Sequence, residues 1–374
     1  MEDLKEIPVL LLTGYLGSGK TTLVNRILNN RKGIRFAVIV NDIGEVNIDA
    51  DLIQQLMEIT ARQKFDYIVI EASGICEPEP IAQTICSIPA LGFEYVQNGI
   101  PVLDCVTTVV DAMRMQSEFA CGEDLKKTHL DEEDIESLVI QQIEFCNIIV
   151  LNKVSEVTPE ELGRIKAIIR TLQPKAKIIE CDYGEFDLDE ILDTGMFQFD
   201  DVAASATWIQ EVEEHHDDDD HDDDDDDDDD NDHDHDHDHH HHHHHEGEGE
   251  AEEYGIGTYV YQARRPFDLN SFDNFVAKKW PKNVIRAKGI CYFSEEFDTC
   301  YLFEQAGRQF VLKNVGLWFA TMPEDELADR LREQPDLLRD WDPTYGDRMQ
   351  KLVFIGQHLD KDFIKEELDK CLFE

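Results

Sequence analysis

The first half of the chain alternates short apolar runs with longer amphipathic stretches. The run Ile7–Thr13 is typical of a strand buried on both faces of a parallel sheet. Similar runs follow at Phe36–Val40, Tyr67–Ile70, Val106–Val110, Ile148–Leu151 and Lys177–Ile179. The segments Thr21–Asn29 and Glu160–Leu172, which lie between such runs, have the apolar spacing of helices. Strands alternating with helices predict a doubly wound α/β domain with a parallel sheet.

The pattern changes in the last third of the chain, where shorter strand-like runs lie between two helical stretches. The runs are Tyr259–Tyr261, Ile290–Phe293, Tyr301–Phe303 and Gln309–Leu312, and the helical stretches are Leu269–Lys279 and Asp360–Leu372. This order predicts a smaller α+β domain.

A low-complexity segment of Asp, His, Glu and Gly separates the two patterns at residues 211–253. Such a segment cannot bury enough apolar area to offset its chain entropy, which predicts a disordered linker. The predicted boundaries are therefore an α/β domain at 1–208, a linker at 209–253 and an α+β domain at 254–374.

Composition favours a globular protein of a reducing compartment. Apolar residues make up 41% of the chain. No apolar run approaches the roughly 20 residues that cross a bilayer, and the acidic N-terminus is unlike a signal peptide. The nine cysteines are scattered without any Cys-x-x-Cys pair, which is typical of reduced thiols. We expect a cytoplasmic protein.

The net charge of −48 is concentrated in the linker. Residues 211–253 contain 17 Asp, 8 Glu and no Lys or Arg. A negative field of this size repels nucleic acid backbones and anionic membranes, so we expect neither as a partner and expect cations instead.

Residues 14–21 match the phosphate-binding pattern GxxxxGK[ST] and directly follow the first apolar run. The pattern is carried by Gly14, Gly19, Lys20 and Thr21, with Gly17, Ser18 and Thr22 also at the nucleotide. Glycines let backbone N–H groups point at the phosphates, the lysine supplies a positive charge, and the threonine hydroxyl binds Mg²⁺. The sequence therefore predicts a nucleoside triphosphate site.

Two acidic residues at later strand ends are candidates for the Mg²⁺ side of this site. Glu71 ends the run Tyr67–Ile70 and is followed by Gly74, whose N–H could contact the γ-phosphate. Asp42 follows another strand. We predict Thr21, Asp42 and Glu71 as Mg²⁺-binding residues and Lys20, Thr21 and Glu71 as catalytic; an ordinary strand-end acid and a plain turn remain the alternatives for Glu71 and Asp42.

Asn152 and Lys153 follow a further strand and begin an Asn-Lys-x-Asp pattern, in which the acid binds guanine. Ser155 stands where that acid would be. A hydroxyl cannot accept a charged pair of hydrogen bonds, so we expect weaker discrimination against adenine. GTP preference is favoured, and relaxed or ATP preference remains the alternative.

The linker contains 13 of the 15 histidines, interleaved with aspartates. Neutral imidazoles bind Zn²⁺, Co²⁺ and Ni²⁺, and nearby carboxylates concentrate cations. The sequence predicts a diffuse metal-binding tract of low specificity, and a solvated charge run is the alternative. Its histidines are His215, His216, His221, His233, His235, His237, His239, His240 and the five that follow through His245.

Taken together, these motifs resemble the CobW-like GTPases, a zinc and cobalt metallochaperone family related to the nickel-insertion GTPases of urease and hydrogenase. The resemblance rests on residues 14–22, 41–49, 70–78, 109–111 and 152–153 of the first domain. In the second domain it rests on residues 265–267, 280–281, 286–289, 346–348 and 352–356. It implies GTP hydrolysis coupled to delivery of a metal to a client protein, nucleotide-dependent dimerisation and a cytoplasmic location.

The sequence departs from the family pattern at three places. The family's Cys-x-Cys-Cys motif is missing, since Asp51–Ile53 runs directly into Gln54 with no cysteine before Cys76. That absence puts a transferable thiolate site in doubt. Asp268 stands where many relatives have His, and Ser155 stands in place of the guanine-binding acid.

The sequence favours a GTP-hydrolysing metallochaperone that binds a divalent metal, zinc first, and delivers it to a client. A metal-storage protein with vestigial nucleotide binding is the alternative, and the missing cysteine motif supports it. A P-loop kinase is a third possibility, although it would make the other motifs coincidences.

Overall fold

The structure of the chain is a computed structural model. It describes residues 5–29, 33–41, 48–62, 65–91, 99–118, 133–199, 202, 254–307, 309–333 and 341–373.

The first half folds as a six-stranded parallel sheet. Its strands are β1 Glu6–Thr13, β2 Phe36–Asn41, β3 Tyr67–Ala72, β4 Ile100–Asp111, β5 Ile148–Asn152 and β6 Lys177–Cys181, in the spatial order β2-β3-β1-β4-β5-β6. The helices are α1 Lys20–Leu28, α2 Ile48–Arg62, α3 Pro78–Ser87, α4 Ala112–Glu118, α5 Glu133–Glu144 and α6 Pro159–Leu172. Two apolar clusters pack against the sheet, which explains why its strands read as continuous apolar runs.

The order of strands reverses beside β1, since β3 lies on one side of it and β4 on the other. In open parallel sheets ligands bind at the carboxyl ends of the strands, next to such a reversal. The loop between β1 and α1 lies at that point, and β3, β4 and β5 end along the same edge.

The second half folds around a five-stranded antiparallel sheet in the order β10-β9-β8-β11-β7. The strands are β7 Ile256–Ala263, β8 Val284–Phe293, β9 Glu296–Ala306, β10 Gln309–Leu317 and β11 Gln350–Gln357. The helices are α7 Leu269–Lys278, α8 Glu324–Glu333 and α9 Lys361–Asp369. Aromatic and aliphatic side chains of α7 and α9 pack on this sheet, among them Phe272, Phe275, Ile364 and Leu368.

A buried ion pair joins the two halves. The guanidinium of Arg286 on β8 donates to both carboxylate oxygens of Glu144 on α5, at 2.9 and 3.0 Å. The two side chains are 2% and 8% exposed. Arg286 Nη1 also donates to the carbonyl of Gln305 at 3.3 Å, so most of its donors are satisfied inside the protein.

The predicted fold class is confirmed: a doubly wound parallel sheet of the phosphate-loop type is followed by a smaller α+β unit. The predicted boundaries at 208 and 253 and the linker between them lie outside the described residues. Strand β11 and the first parts of β4, β8 and β9 were not predicted from the sequence. No described helix has both the length and the apolar character that a bilayer span requires.

Candidate functional site

The phosphate loop requires glycine at two positions for reasons that the structure makes specific. Gly14 has a φ of 133°, and a Cβ there would lie 2.3 Å from the carbonyl oxygen of Val109. Gly19 has a φ of 113°, and a Cβ there would lie 2.4 Å from Asn152 Nδ2. Only glycine fits both the backbone conformation and the close approach of β4 and β5.

Lys20 lies inside the curve of this loop. Its Nζ donates to the carbonyl of Gly14 at 2.5 Å and to that of Tyr15 at 3.2 Å. Burial lowers the pKa of Lys20, and the nearby carboxylate of Glu71 opposes that shift. The ammonium group is therefore held at the loop by carbonyl oxygens, where an anionic ligand would be attracted.

The structure brings Thr21 and Glu71 together. Thr21 Oγ1 donates to Glu71 Oε1 at 2.7 Å, which links the start of α1 to the end of β3. Hydroxyl and carboxylate oxygens are the ligands that Mg²⁺ prefers, so this pair fits the ion that the phosphate loop implies. Asp42, the third predicted Mg²⁺ residue, lies outside the described residues.

Asn152 connects the phosphate loop with the loop that follows β6. Its Nδ2 donates to the carbonyl of Ser18 at 2.8 Å. Its Oδ1 accepts from the backbone N–H of Gly184 at 3.2 Å and from Cys181 Sγ at 3.6 Å. The Asn152 side chain is 3% exposed, and both of its polar atoms are hydrogen-bonded. Asn152 therefore supports the site from its buried side.

The other predicted nucleotide residues lie around the same loop. Lys153 has a left-handed φ of 62° and forms an ion pair with Asp111 at the end of β4. Ser18 is 2% exposed, and its Oγ makes no hydrogen bond within the described part of the chain. Gly17 and Thr22 are exposed at the loop and the first turn of α1.

Ser155 contacts an acid that the sequence analysis did not consider. Its backbone N–H and its Oγ both donate to Asp182 Oδ1, at 3.1 and 2.9 Å. Asp182 directly follows β6, and Asn152 pairs with Cys181 in the β5–β6 ladder. The sequence offered one signal, since the loops after adjacent parallel strands meet at one edge.

Gln142 of α5 is a second residue that the sequence analysis missed. Its Nε2 donates to the carbonyl of Cys76 at 3.1 Å, just after Gly74, and the side chain is 1% exposed. Gln142 also lines an open pocket beside the phosphate loop, together with Tyr15, Ser18 and Asp111. The segment after β3 is thereby tied to α5.

The junction where the cysteine motif is missing forms a continuous helix. Asp51–Ile53 and Gln54 both lie within α2, whose Leu52 and Leu56 are buried. Among the residues that the structure describes, no three or more His, Cys, Asp or Glu side chains are grouped to hold a metal. The predicted metal-binding histidines, His215 to His245, lie outside those residues.

Two family models match the chain. The model described as CobW/HypB/UreG, nucleotide-binding domain, matches residues 8–58 and 50–180. The model described as cobalamin synthesis protein cobW C-terminal domain matches residues 256–372. The first match is in two pieces that overlap at 50–58, at the junction without the cysteine motif.

Curated relatives match along the same chain. The zinc-regulated GTPase metalloprotein activator 1 of Dictyostelium discoideum is 30% identical over 413 residues, covering 98% of this chain and 80% of the relative. The zinc chaperone CobW of Pseudomonas aeruginosa is 31% identical, covering 51% of this chain and 61% of the relative. The zinc chaperone YjiA of Escherichia coli is 30% identical, covering 53% of this chain and 65% of the relative.

The two matched models follow each other in the order of the two folded halves, and the Dictyostelium relative aligns with nearly the whole chain. The first model covers the phosphate loop, the Thr21–Glu71 pair and Asn152. The chain belongs to the CobW family, with a CobW/HypB/UreG nucleotide-binding domain followed by a CobW C-terminal domain.

Proposed function

We propose that this protein binds and hydrolyses GTP and uses the cycle to deliver zinc to a client metalloprotein. The observation that carries the proposal is the contact of Thr21 with Glu71 beside Lys20 in the phosphate loop. It is supported by relatives named zinc chaperone and zinc-regulated GTPase metalloprotein activator.

In the proposed mechanism Lys20 exchanges its carbonyl partners, Gly14 and Tyr15, for phosphate oxygens. Its charge then offsets the negative charge that grows on the phosphates as the bond to the γ-phosphate breaks. Mg²⁺ would be held by Thr21 and Glu71, with Asp42 predicted from sequence, and supplies further charge neutralisation when bound. The N–H groups of the loop orient the phosphates.

Gly74 is the proposed γ-phosphate sensor. Its position is close to the loop, since a Cβ at Gly74 would lie 2.7 Å from the backbone nitrogen of Leu16. Because Gln142 of α5 donates to the carbonyl of Cys76, a movement of the segment that contains Gly74 and Cys76 would also move α5. Glu144 at the end of α5 would transmit this movement to Arg286 in the second sheet through their ion pair.

The cargo zinc is proposed to bind the histidine tract of residues 215–245, and Co²⁺ and Ni²⁺ are the alternative metals. A client metalloprotein and a nucleotide-dependent second copy of the chain are the proposed protein partners, and the cytoplasm is the proposed location. The storage alternative is not favoured, because it gives no role to the Lys20, Thr21 and Glu71 arrangement.

The proposal is tested by coupling nucleotide turnover to zinc release. The purified full chain is loaded with Zn²⁺, and transfer to a chromogenic chelator is followed with GTP, GDP or no nucleotide. We expect GTP to change the transfer rate about tenfold, in the range of ordinary coupling energies. Lys20→Ala is expected to lose both phosphate release and this nucleotide effect while still binding zinc.

The matched control is Lys166→Ala, which removes a surface lysine whose Nζ lies 2.7 Å from Glu180. It is expected to behave as wild type. If zinc transfer is the same with and without GTP, and the same in Lys20→Ala, the chaperone proposal is wrong and storage is the better account.

A further inference from the structure

Ser155 leaves the guanine-binding position without its expected acid, yet a carboxylate from another loop is hydrogen-bonded to Ser155. Asp182 Oδ1 accepts from Ser155 Oγ at 2.9 Å and from Ser155 N–H at 3.1 Å. The two residues are 27 positions apart and belong to the loops after β5 and β6. The chain therefore has a hydroxyl on one loop and a carboxylate on the next.

We propose that Asp182 is the guanine-specificity residue of this protein and that Ser155 positions it. This inference rests on the proposed function, since it assigns the base recognition of the same nucleotide site. It replaces the expectation of weakened discrimination with one of retained GTP preference.

The loop that carries Asp182 is tied to the nucleotide site by independent contacts. Gly184 N–H donates to Asn152 Oδ1, while Asn152 Nδ2 donates to Ser18 in the phosphate loop. Arg26 of α1 donates to the carbonyls of Gly184 and Phe186, the latter at 2.6 Å. Three hydrogen bonds at Gly184 and Phe186 therefore hold this loop next to the phosphate loop and α1.

The acceptor capacity of Asp182 fits guanine. Both hydrogen bonds from Ser155 go to Oδ1, and Oδ2 makes no hydrogen bond within the described ranges. The carboxylate is partly exposed and can still accept from N1–H and the 2-amino group of guanine. Adenine presents a lone pair at N1, which a carboxylate repels.

The alternative is that Asp182 only caps the short turn Val154–Glu156 through its contact with Ser155 N–H. A capping role predicts an effect on stability without any effect on base preference. A binding experiment therefore distinguishes guanine recognition from capping.

The test measures the dissociation constants of GTP, ATP and XTP for the full chain and for Asp182→Asn by titration calorimetry. Xanthine has a carbonyl at C2 where guanine has an amine, so an amide can donate to it where a carboxylate cannot. We expect wild type to prefer GTP. Asp182→Asn should lose on the order of 10²-fold in GTP affinity and gain affinity for XTP.

A reciprocal exchange sharpens the test. Asp182→Ser alone should lose GTP preference, and adding Ser155→Asp should restore it, because the carboxylate and hydroxyl then change places. The matched control is Asp187→Asn, which should bind nucleotides as wild type does. The carboxylate of Asp187 accepts from Asp189 N–H at 3.2 Å. Thermal unfolding checks that each variant is folded.

Unchanged GTP affinity and base preference in Asp182→Asn would overturn this assignment and leave the proposed function standing. If wild type binds none of the three nucleotides, the proposed function and this assignment both fail. Wild-type binding of ATP as tightly as GTP would overturn the assignment alone.

Discussion

At the scale of single residues, Asp268 shows how a departure from the family pattern is accommodated. It stands where many relatives are expected to have histidine, and it caps the N-terminus of α7 by accepting from Ser271 N–H at 2.8 Å. These hydrogen bonds from Ser271 hold the pKa of Asp268 below its ordinary value of 3.8. The substitution thus has a structural role in the second domain.

Replacing Asp268 is expected to affect stability in a pH-dependent way. Because its pKa is lower folded than unfolded, the carboxylate stabilises the protein above about pH 4, and this is lost as the pH falls through the folded pKa. Asp268→Ala should lower the unfolding midpoint by a few degrees at pH 7. Asp268→Asn should lose less than Asp268→Ala at pH 7, since asparagine is an equally good cap but lacks the charge.

Denaturation of the three proteins between pH 7 and pH 3 checks this expectation. The gap between wild type and Asp268→Asn should shrink or reverse towards pH 3. A gap between wild type and Asp268→Ala that is the same at both pH values would contradict a role for the charge.

At the scale of elements, α5 contacts both the nucleotide half and the second sheet. Gln142 holds the segment after β3, and two residues later Glu144 pairs with the buried Arg286. Gln173 Nε2 donates to the carbonyl of Glu144 at 2.6 Å, which fixes the end of the helix. In the proposed mechanism, α5 would transmit a change at the nucleotide to the CobW C-terminal domain.

Glu144→Gln is expected to destabilise the protein by about 3–5 kcal/mol, since it leaves the charge of Arg286 buried without its main partner. The loss should lie at the low end, because Glu304 Oε2 is 3.7 Å from Arg286 Nη2. Urea denaturation provides the measurement. Glu180→Gln, which changes only a surface pair with Lys166, should cost less than about 1 kcal/mol.

A double variant separates burial of charge from loss of contact. Glu144→Leu with Arg286→Met removes both charges and should recover much of the stability lost in Glu144→Gln. Nucleotide-dependent zinc transfer is expected to weaken in the double variant, because the link between α5 and β8 is gone. Transfer that responds to GTP as in wild type would argue against this route.

At the scale of the whole molecule, acid and histidine are concentrated in one segment between two folded halves. The 17 Asp and 13 His of residues 215–245 account for most of the chain's histidine and over a third of its net charge of −48. Such a composition attracts divalent cations and offers them imidazole ligands.

Replacing the 13 histidines of residues 215–245 with asparagine is expected to abolish binding of multiple zinc ions while keeping the aspartates. Wild-type binding should fade below about pH 6, where imidazole becomes protonated and can no longer bind metal. Zinc content by elemental analysis at pH 7.5 and pH 5.5 measures both effects. Equal zinc content in wild type and in the variant would show that the aspartate carboxylates alone bind zinc.

Much of the fold could be predicted because the strands of a parallel sheet are buried on both faces and therefore have continuous apolar runs in their sequence. The strands β1, β2, β3, β5 and β6 were found in this way. β11 was not predicted, and polarity along the chain could not show that its first residues, Gln350 and Lys351, are only 0% and 1% exposed. Its apolar residues, Leu352–Ile355, were noted as a family motif only.

The sequence by itself determined the phosphate loop, the Asn152–Lys153 motif, the acid at the end of β3 and the histidine-rich segment. Each of these is local, since its chemistry depends on neighbours along the chain or on a strand end. Thr21 and Glu71 were each predicted as Mg²⁺-binding residues, and the structure adds their direct contact, which follows from the pairing of β1 with β3.

Only the tertiary structure decided which acid contacts Ser155 and which partner neutralises Arg286. Asp182 and Glu144 are 27 and 142 residues away from those partners, and no local sequence pattern identifies either contact. Their positions follow from the pairing of β5 with β6 and from the packing of α5 on the second sheet. Long-range contacts of this kind are fixed by packing, which a local sequence pattern does not specify.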